Sequence, residues 1–187
     1  MPSPYKVAVV VGSLRKDSYN RKMAHALARF APDTLSLEIV EIGDLPLFNQ
    51  DFEKSLPPAV VAFKSRIQAA DAVLFITPEY NRSVPGVLKN AIDCGSRPYG
   101  QSAWSGKPGG VVSVSTGAVG GFGANHHLRQ SMVFLDVPMM GQPEAYIGGA
   151  AKLFDEAGEV AQAETRDFLQ RYISAYADWV ARHATGR

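Results

Sequence analysis

Short apolar runs rich in valine and isoleucine alternate along this chain with longer stretches of helical spacing, and that alternation leaves few folds open. Residues 6–11 (KVAVVV) are nearly all apolar, the pattern of a strand buried on both faces of a parallel sheet. Residues 20–30 read as a helix with Met23, Ala24, Leu27 and Phe30 on one side. A second strand is predicted over 35–42 (LSLEIVEI), a Pro/Asp/Asn-rich loop over 43–58, a helix over 59–70 and a third buried strand over 72–77 (AVLFIT). A third helix spans 85–94, opening on Pro85, where the missing N–H costs little. After a long connection at 95–108 come a strand at 110–115 (GVVSVS), a helix at 124–135 and a short fifth strand at 137–140. A closing helix at 159–184 carries Val160, Phe168, Tyr172, Ile173, Tyr176, Trp179 and Val180 on one stripe.

Strands alternating with helices imply a parallel sheet covered on both faces, and right-handed crossovers reduce the topologies to a handful. Five strands favour a flavodoxin-like three-layer α/β sandwich with strand order 2-1-3-4-5 over the six-stranded dinucleotide fold. The 187 residues suit a single domain, with roughly 70% of the unfolded surface buried on folding. In such sheets ligands sit beyond the carboxyl ends of the strands, near the reversal of strand order, so the loops after the first, third and fourth strands should form the site.

Bulk composition narrows the function. A formal net charge of +1 gives no field for nucleic acid or an anionic membrane. The lone Cys94 cannot close an internal disulfide, which fits a reducing compartment. The five-residue apolar run at 7–11 is too short for a signal-peptide core or a membrane span, so a cytoplasmic protein is expected.

The first loop runs Gly12-Ser13-Leu14-Arg15-Lys16-Asp17-Ser18-Tyr19-Asn20 between strand and helix. A helix N-terminus offers unpaired N–H groups and a positive dipole end to a phosphate. Ser13, Ser18 and Asn20 add side-chain donors, and Arg15 adds a cation able to make paired bonds. A plain capped turn would also use Ser18 and Asn20. The loop lacks G-x-G-x-x-G, and residues 100–107 fail the Walker spacing. The second loop, Thr77-Pro78-Glu79-Tyr80-Asn81-Arg82-Ser83-Val84-Pro85-Gly86, is stiffened by prolines and offers the Tyr80 ring and the Asn81 amide to a planar heterocycle. The third, Ser115-Thr116-Gly117-Ala118-Val119-Gly120-Gly121-Phe122-Gly123, has four glycines in seven residues, so its backbone can approach a ligand closely. Each loop alone has an ordinary structural explanation; three at adjacent strand ends argue for a site.

These loops resemble the NADPH-dependent FMN reductase family of flavodoxin-like bacterial enzymes that reduce quinones, azo dyes, free flavin and chromate. The resemblance rests on Gly12-Ser13-Leu14-Arg15 with Ser18 and Asn20, on Pro78-Glu79-Tyr80-Asn81 followed by Ser83-Val84-Pro85-Gly86, on Leu88-Lys89-Asn90-Ala91-Ile92-Asp93, and on Asp44-Leu45-Pro46-Leu47 and Gly106-Lys107-Pro108. It implies FMN as cofactor and NADPH or NADH as hydride donor. It assigns the phosphate to Ser13, Arg15, Ser18 and Asn20, with Tyr19 beside them. Pro78, Glu79, Tyr80 and Asn81 would meet the isoalloxazine ring, and Ser115 and Gly117 would close its other edge. It also implies ping-pong turnover with a small-molecule electron acceptor, no metal and no side-chain catalytic residue, in a homodimer or homotetramer. Phe122 and Gly123 stand where family members often carry arginine. The competing readings are an electron-carrier flavodoxin, to which near-neutral charge is unsuited, a reductase that hands free reduced flavin to a monooxygenase, and a nucleotide binder using the first loop alone.

Cys94, without a C-x-x-C partner, reads as a packed small hydrophobe. His126 and His127 point about 100° apart on a helix and make poor joint metal ligands. Trp104 and the apolar residues at 48–52 and 98–104 are expected near the site mouth or at a subunit contact.

Overall fold

The computed structural model describes residues 3–184. Five parallel strands form one sheet in the order β2-β1-β3-β4-β5: β1 (Tyr5–Val11), β2 (Leu35–Ile39), β3 (Ala72–Thr77), β4 (Gly109–Val114) and β5 (Ala145–Ile147). The helices are α1 (Tyr19–Phe30), α2 (Pro58–Gln68), α3 (Gly86–Ser96), α4 (Phe122–Phe134) and α5 (Ala163–His183). Short 3-10 turns at Gln50–Lys54 and Ala150–Lys152 complete the order. The expected flavodoxin-like architecture and strand order are both present.

Period-two alternation sorts the strands onto two cores. Val7, Val9, Val11, Leu74, Ile76, Val112 and Val114 face α1 and α5, where Met23, Leu27, Tyr172, Tyr176 and Val180 meet them. Ala8, Val10, Val73, Phe75 and Val111 face Phe63, Ile67, Leu88, Ile92, Leu128 and Met132 of α2, α3 and α4. Both faces of β3 and β4 are therefore dry, which accounts for sequences that are apolar but for the buried Thr77 and Ser113. The Tyr172 and Tyr176 hydroxyls donate to Val111 O (3.0 Å) and Val73 O (2.8 Å). A Cβ on Gly110 would lie 2.9 Å from the Tyr176 ring and 3.0 Å from the Tyr172 hydroxyl, so this strand glycine is the space the two rings occupy.

Three expectations need correction. The fifth strand lies at Ala145–Ile147, not at 137–140. The earlier segment does run along the sheet edge, with Gly109 N donating to Pro138 O and Met140 N to Gly109 O. Pro143 then interrupts it, having no amide to continue the ladder, and regular pairing resumes at Ala145. The last helix starts at Ala163 rather than 159. Residues 155–159 are taken by a turn with Gly158 at φ +78°, and Val160 bridges back to Phe154. Trp104 is wholly buried, donates Nε1–H to Ile92 O at 3.0 Å and packs on Phe63 and Phe75, so it belongs to the core and not to a site mouth.

Candidate active site

The loops after β1, β3 and β4 meet at the carboxyl end of the sheet and enclose a cleft of about 210 Å³. Ser13, Arg15, Ser18, Tyr19 and Asn20 form one wall, and Pro78, Glu79 and Tyr80 a second. Val114, Ser115 and Thr116 form the third. Asn81 and Gly117, expected in the site, do not line this cleft; Asn81 stands at an exposed turn tip and Gly117 lies one residue beyond the wall. Val114 lies in the strand and Thr116 in the third loop, but neither is among the expected cofactor contacts. Their signal was available in the strand-end rule, which picks whichever residues close β4.

The first wall is built for an anion. Ser18 caps α1, its Oγ accepting from Arg21 N at 3.3 Å, and no acidic residue occupies the first turn to neutralise the helix end. Ser13 and Ser18 are buried polar groups. Arg15 is exposed and folded over the Tyr19 ring, 4.8 Å from its centroid, with Nη2 donating to Asp17 O. Asn20 is 4% exposed; its Nδ2 donates to Val114 O at 3.3 Å, while Oδ1 is buried with no partner among the described residues. A buried acceptor without a donor calls for a ligand hydroxyl or a water.

The second wall is a tight hairpin that the sequence did not disclose. Tyr80 and Ser83 exchange both backbone hydrogen bonds at 3.0 Å, with Asn81 and Arg82 at φ +52° and +65°. Two central residues with positive φ are the signature of a type I′ turn, and asparagine is favoured at the first. The turn leaves the Tyr80 ring half exposed toward the cleft. The Glu79 carboxylate is 13% exposed; its Oε2 accepts from Ala124 N at 3.1 Å and its Oε1 lies 3.5 Å from Arg82 Nη1.

The third wall ends on Gly121, whose φ of +77° lets the chain turn from the loop into α4. Phe122 follows, half exposed, its ring 4.2 Å from His126 and 5.2 Å from Tyr146. His126 Nε2 is also 2.9 Å from the Tyr146 hydroxyl. Burial, reinforced by the Glu144 carboxylate against the pull of Arg129, pushes that phenol up to about 12. An aromatic cluster of Phe122, His126 and Tyr146 thus occupies the start of α4. His127 turns elsewhere, its Nδ1 2.9 Å from Ser83 Oγ. Among the described residues no group of His, Cys, Asp or Glu is placed to hold a metal, and no helix is long and apolar enough to cross a membrane. Cys94 is buried, with burial and Asp93 pushing its thiol up, as befits a packed side chain.

The NADPH-dependent FMN reductase model matches residues 5–152, which include all three walls. A quinone reductase of Pseudomonas putida is 66% identical over 181 residues, covering 96% of this chain and 97% of the relative. A 2-hydroxy-1,4-benzoquinone reductase of Burkholderia sp. is 50% identical over 175 residues, with 94% and 96% covered. The solved flavoenzyme NAD(P)H:(acceptor) oxidoreductase FerB of Paracoccus denitrificans superposes with a TM-score of 0.90 at 45% identity, covering 96% of this chain and 98% of that one. With most of its length matched and its loops converging on one cleft, the chain belongs to the NADPH-dependent FMN reductase family, whose cofactor is FMN and whose donor is a reduced nicotinamide nucleotide.

Proposed function

We propose that this protein is an FMN-dependent NAD(P)H:quinone oxidoreductase with ping-pong turnover, donor and acceptor using the same open face of the cleft in turn. The observation that carries the reading is the cleft itself: an α1 N-terminus with no acidic residue in its first turn, an orphaned Asn20 acceptor and an exposed aromatic wall, all at the ends of β1, β3 and β4. The quinone reductases among its relatives support a quinone as acceptor. Azo compounds, free flavins and metal oxyanions are further acceptors of the same electrons.

FMN held in the cleft would supply the redox chemistry, hydride acceptance and electron delivery. The chain's own part is binding and placement. The α1 amides with Ser13, Ser18 and Arg15 meet the phosphate. Asn20 Oδ1 is an acceptor and therefore suits a ribityl hydroxyl better than a phosphate oxygen. Pro78, Glu79 and Tyr80 would hold one side of the ring and Ser115 the other, with Asn81 and Gly117 outside the lining of the cleft. No side chain is assigned as acid or base, because the walls need only hold the reacting atoms about 3–3.5 Å apart and aligned. A cytoplasmic homodimer or homotetramer fits the single cysteine and the exposed Leu47, Tyr99, Val133 and Phe134 side chains.

The test is a visible spectrum of the FMN-reconstituted protein under anaerobic conditions. Flavin bands should bleach on adding NADPH or NADH and return on adding a quinone. Bound flavin that stays oxidised would make the protein a carrier, and failure to take up FMN would defeat the whole reading.

A further inference from the structure

Helix α4 begins without a cap of its own. Its N-cap residue is Gly121, no side chain of the helix closes its first turn, and no acidic residue lies in that turn. Helix ends left this way need an outside partner. The partner comes from the neighbouring wall, where Glu79 Oε2 accepts from Ala124 N at 3.1 Å. One turn further along, His127 Nδ1 meets Ser83 Oγ at 2.9 Å. Between these two ties the loops touch closely: a Cβ on Gly123 would stand 2.8 Å from Arg82 O. The hairpin after β3 and the glycine loop before α4 are therefore fastened at both ends of a short seam.

We propose that Glu79 is a positioning residue, whose carboxylate caps α4 from the adjacent loop and so fixes the spacing between the two loops that bound the flavin-ring slot. The Ser83–His127 contact is the second fastening of the same frame. The proposal rests on the reading of the cleft as an FMN site, and it assigns Glu79 a task distinct from touching the cofactor. A carboxylate at a helix N-terminus makes a charge-assisted bond to the backbone amide, so it holds the seam more firmly than a neutral acceptor would.

The experiment has two readouts on the full chain. In the flavin-free protein, amide exchange at Ala124, followed by NMR, should accelerate about tenfold or more in Glu79→Ala, and much less in Glu79→Gln, which keeps the acceptor oxygen. In the reconstituted protein, the FMN dissociation constant should rise about tenfold in Glu79→Ala with an altered bound-flavin spectrum, and Glu79→Gln should restore most of both. The Glu79→Ala/His127→Ala double variant should lose less than the product of the two single effects, because both act on one seam. Unchanged circular dichroism guards against simple unfolding. Wild-type-like FMN affinity in Glu79→Ala, or unaltered Ala124 exchange, overturns the proposal. A wild-type protein that takes up no FMN removes the cofactor reading and this one with it; the Ala124 exchange difference would then persist, so the two failures are told apart.

Discussion

The Asn20 side chain gives Nδ2 to Val114 O and leaves Oδ1 buried without a partner. A buried acceptor left without a donor costs about 1–3 kcal/mol, so a ligand hydroxyl that meets Oδ1 finds a group already in place. Asn20→Ala removes that orphan and also the bond to Val114. The two changes oppose each other in the flavin-free protein, whose melting temperature should barely move. The FMN complex loses only a contact, and fluorescence titration should show a dissociation constant about tenfold higher, near 1.4 kcal/mol. A large loss of stability with unaltered FMN affinity would make Asn20 a packing residue. Ser13 and Ser18 were legible as cleft residues because they belong to one strand–helix turn; Asn20 was read in the same turn, but its bond to Val114 O, 94 residues on, was not. Glu79 was found as a cleft residue, but its cap was not, since its partner Ala124 lies 45 residues on and nothing local marks the pairing. Arg82 hid the type I′ turn, because the second position of such turns ordinarily signals itself with glycine.

Strands β1, β3 and β4 could be read almost residue for residue because burial on both faces leaves few polar positions, Lys6, Thr77 and Ser113, to confuse the pattern. The sheet edge could not be read so well. At 137–147 the chain pairs, breaks at Pro143 and pairs again, and a short edge segment carries too few residues to show which part is the ladder. The start of α5 was misplaced for a related reason, a Gly158 turn competing with good helix formers. Gly110 had a meaning that no local pattern conveys. It sits on β4 opposite two tyrosines from α5, each bonded to a strand carbonyl and each pushed far above the ordinary phenol range by burial. Gly110→Ala must displace the Tyr176 ring, and overpacking of this kind costs about 1–3 kcal/mol. Chemical denaturation should register that loss. A variant as stable as the parent would mean that α5 can slide off the sheet without penalty.

Across the whole molecule, the surface bears on the proposed self-association. The formal net charge of +1 gives two copies little cause to repel. The segments expected to carry the contact contribute less than their sequences suggest: Trp104 is buried and Phe48 half buried, leaving Tyr99 and, less so, Phe52, with Leu47 exposed just before the first segment. The other exposed apolar side chains are on α4, where Phe122, His126, Gln130 and Val133 follow one another at helical spacing and Phe134 adjoins them, apolar at both ends of the stripe. Arg129, the helix's one lysine or arginine, turns inward to Asn125 Oδ1 and Met140 O, so the outward stripe has no fixed charge. Val133 and Phe134 are 79% and 83% exposed at one end, and Phe122 is 48% exposed at the other. A two-fold axis would lay two such helices antiparallel, each Phe122 against the other's Val133, with the polar His126 and Gln130 between. Light scattering on the purified protein should therefore give a mass of two or four times 20.2 kDa. Val133→Glu/Phe134→Glu, which would put like charges into that seam, should lower the mass by one association step while leaving the circular dichroism unchanged. A monomeric parent would end the oligomer proposal. An associated parent whose double variant keeps its mass would move the contact to the Leu47 and Tyr99 side, where Leu47→Glu/Tyr99→Glu would then have to break it.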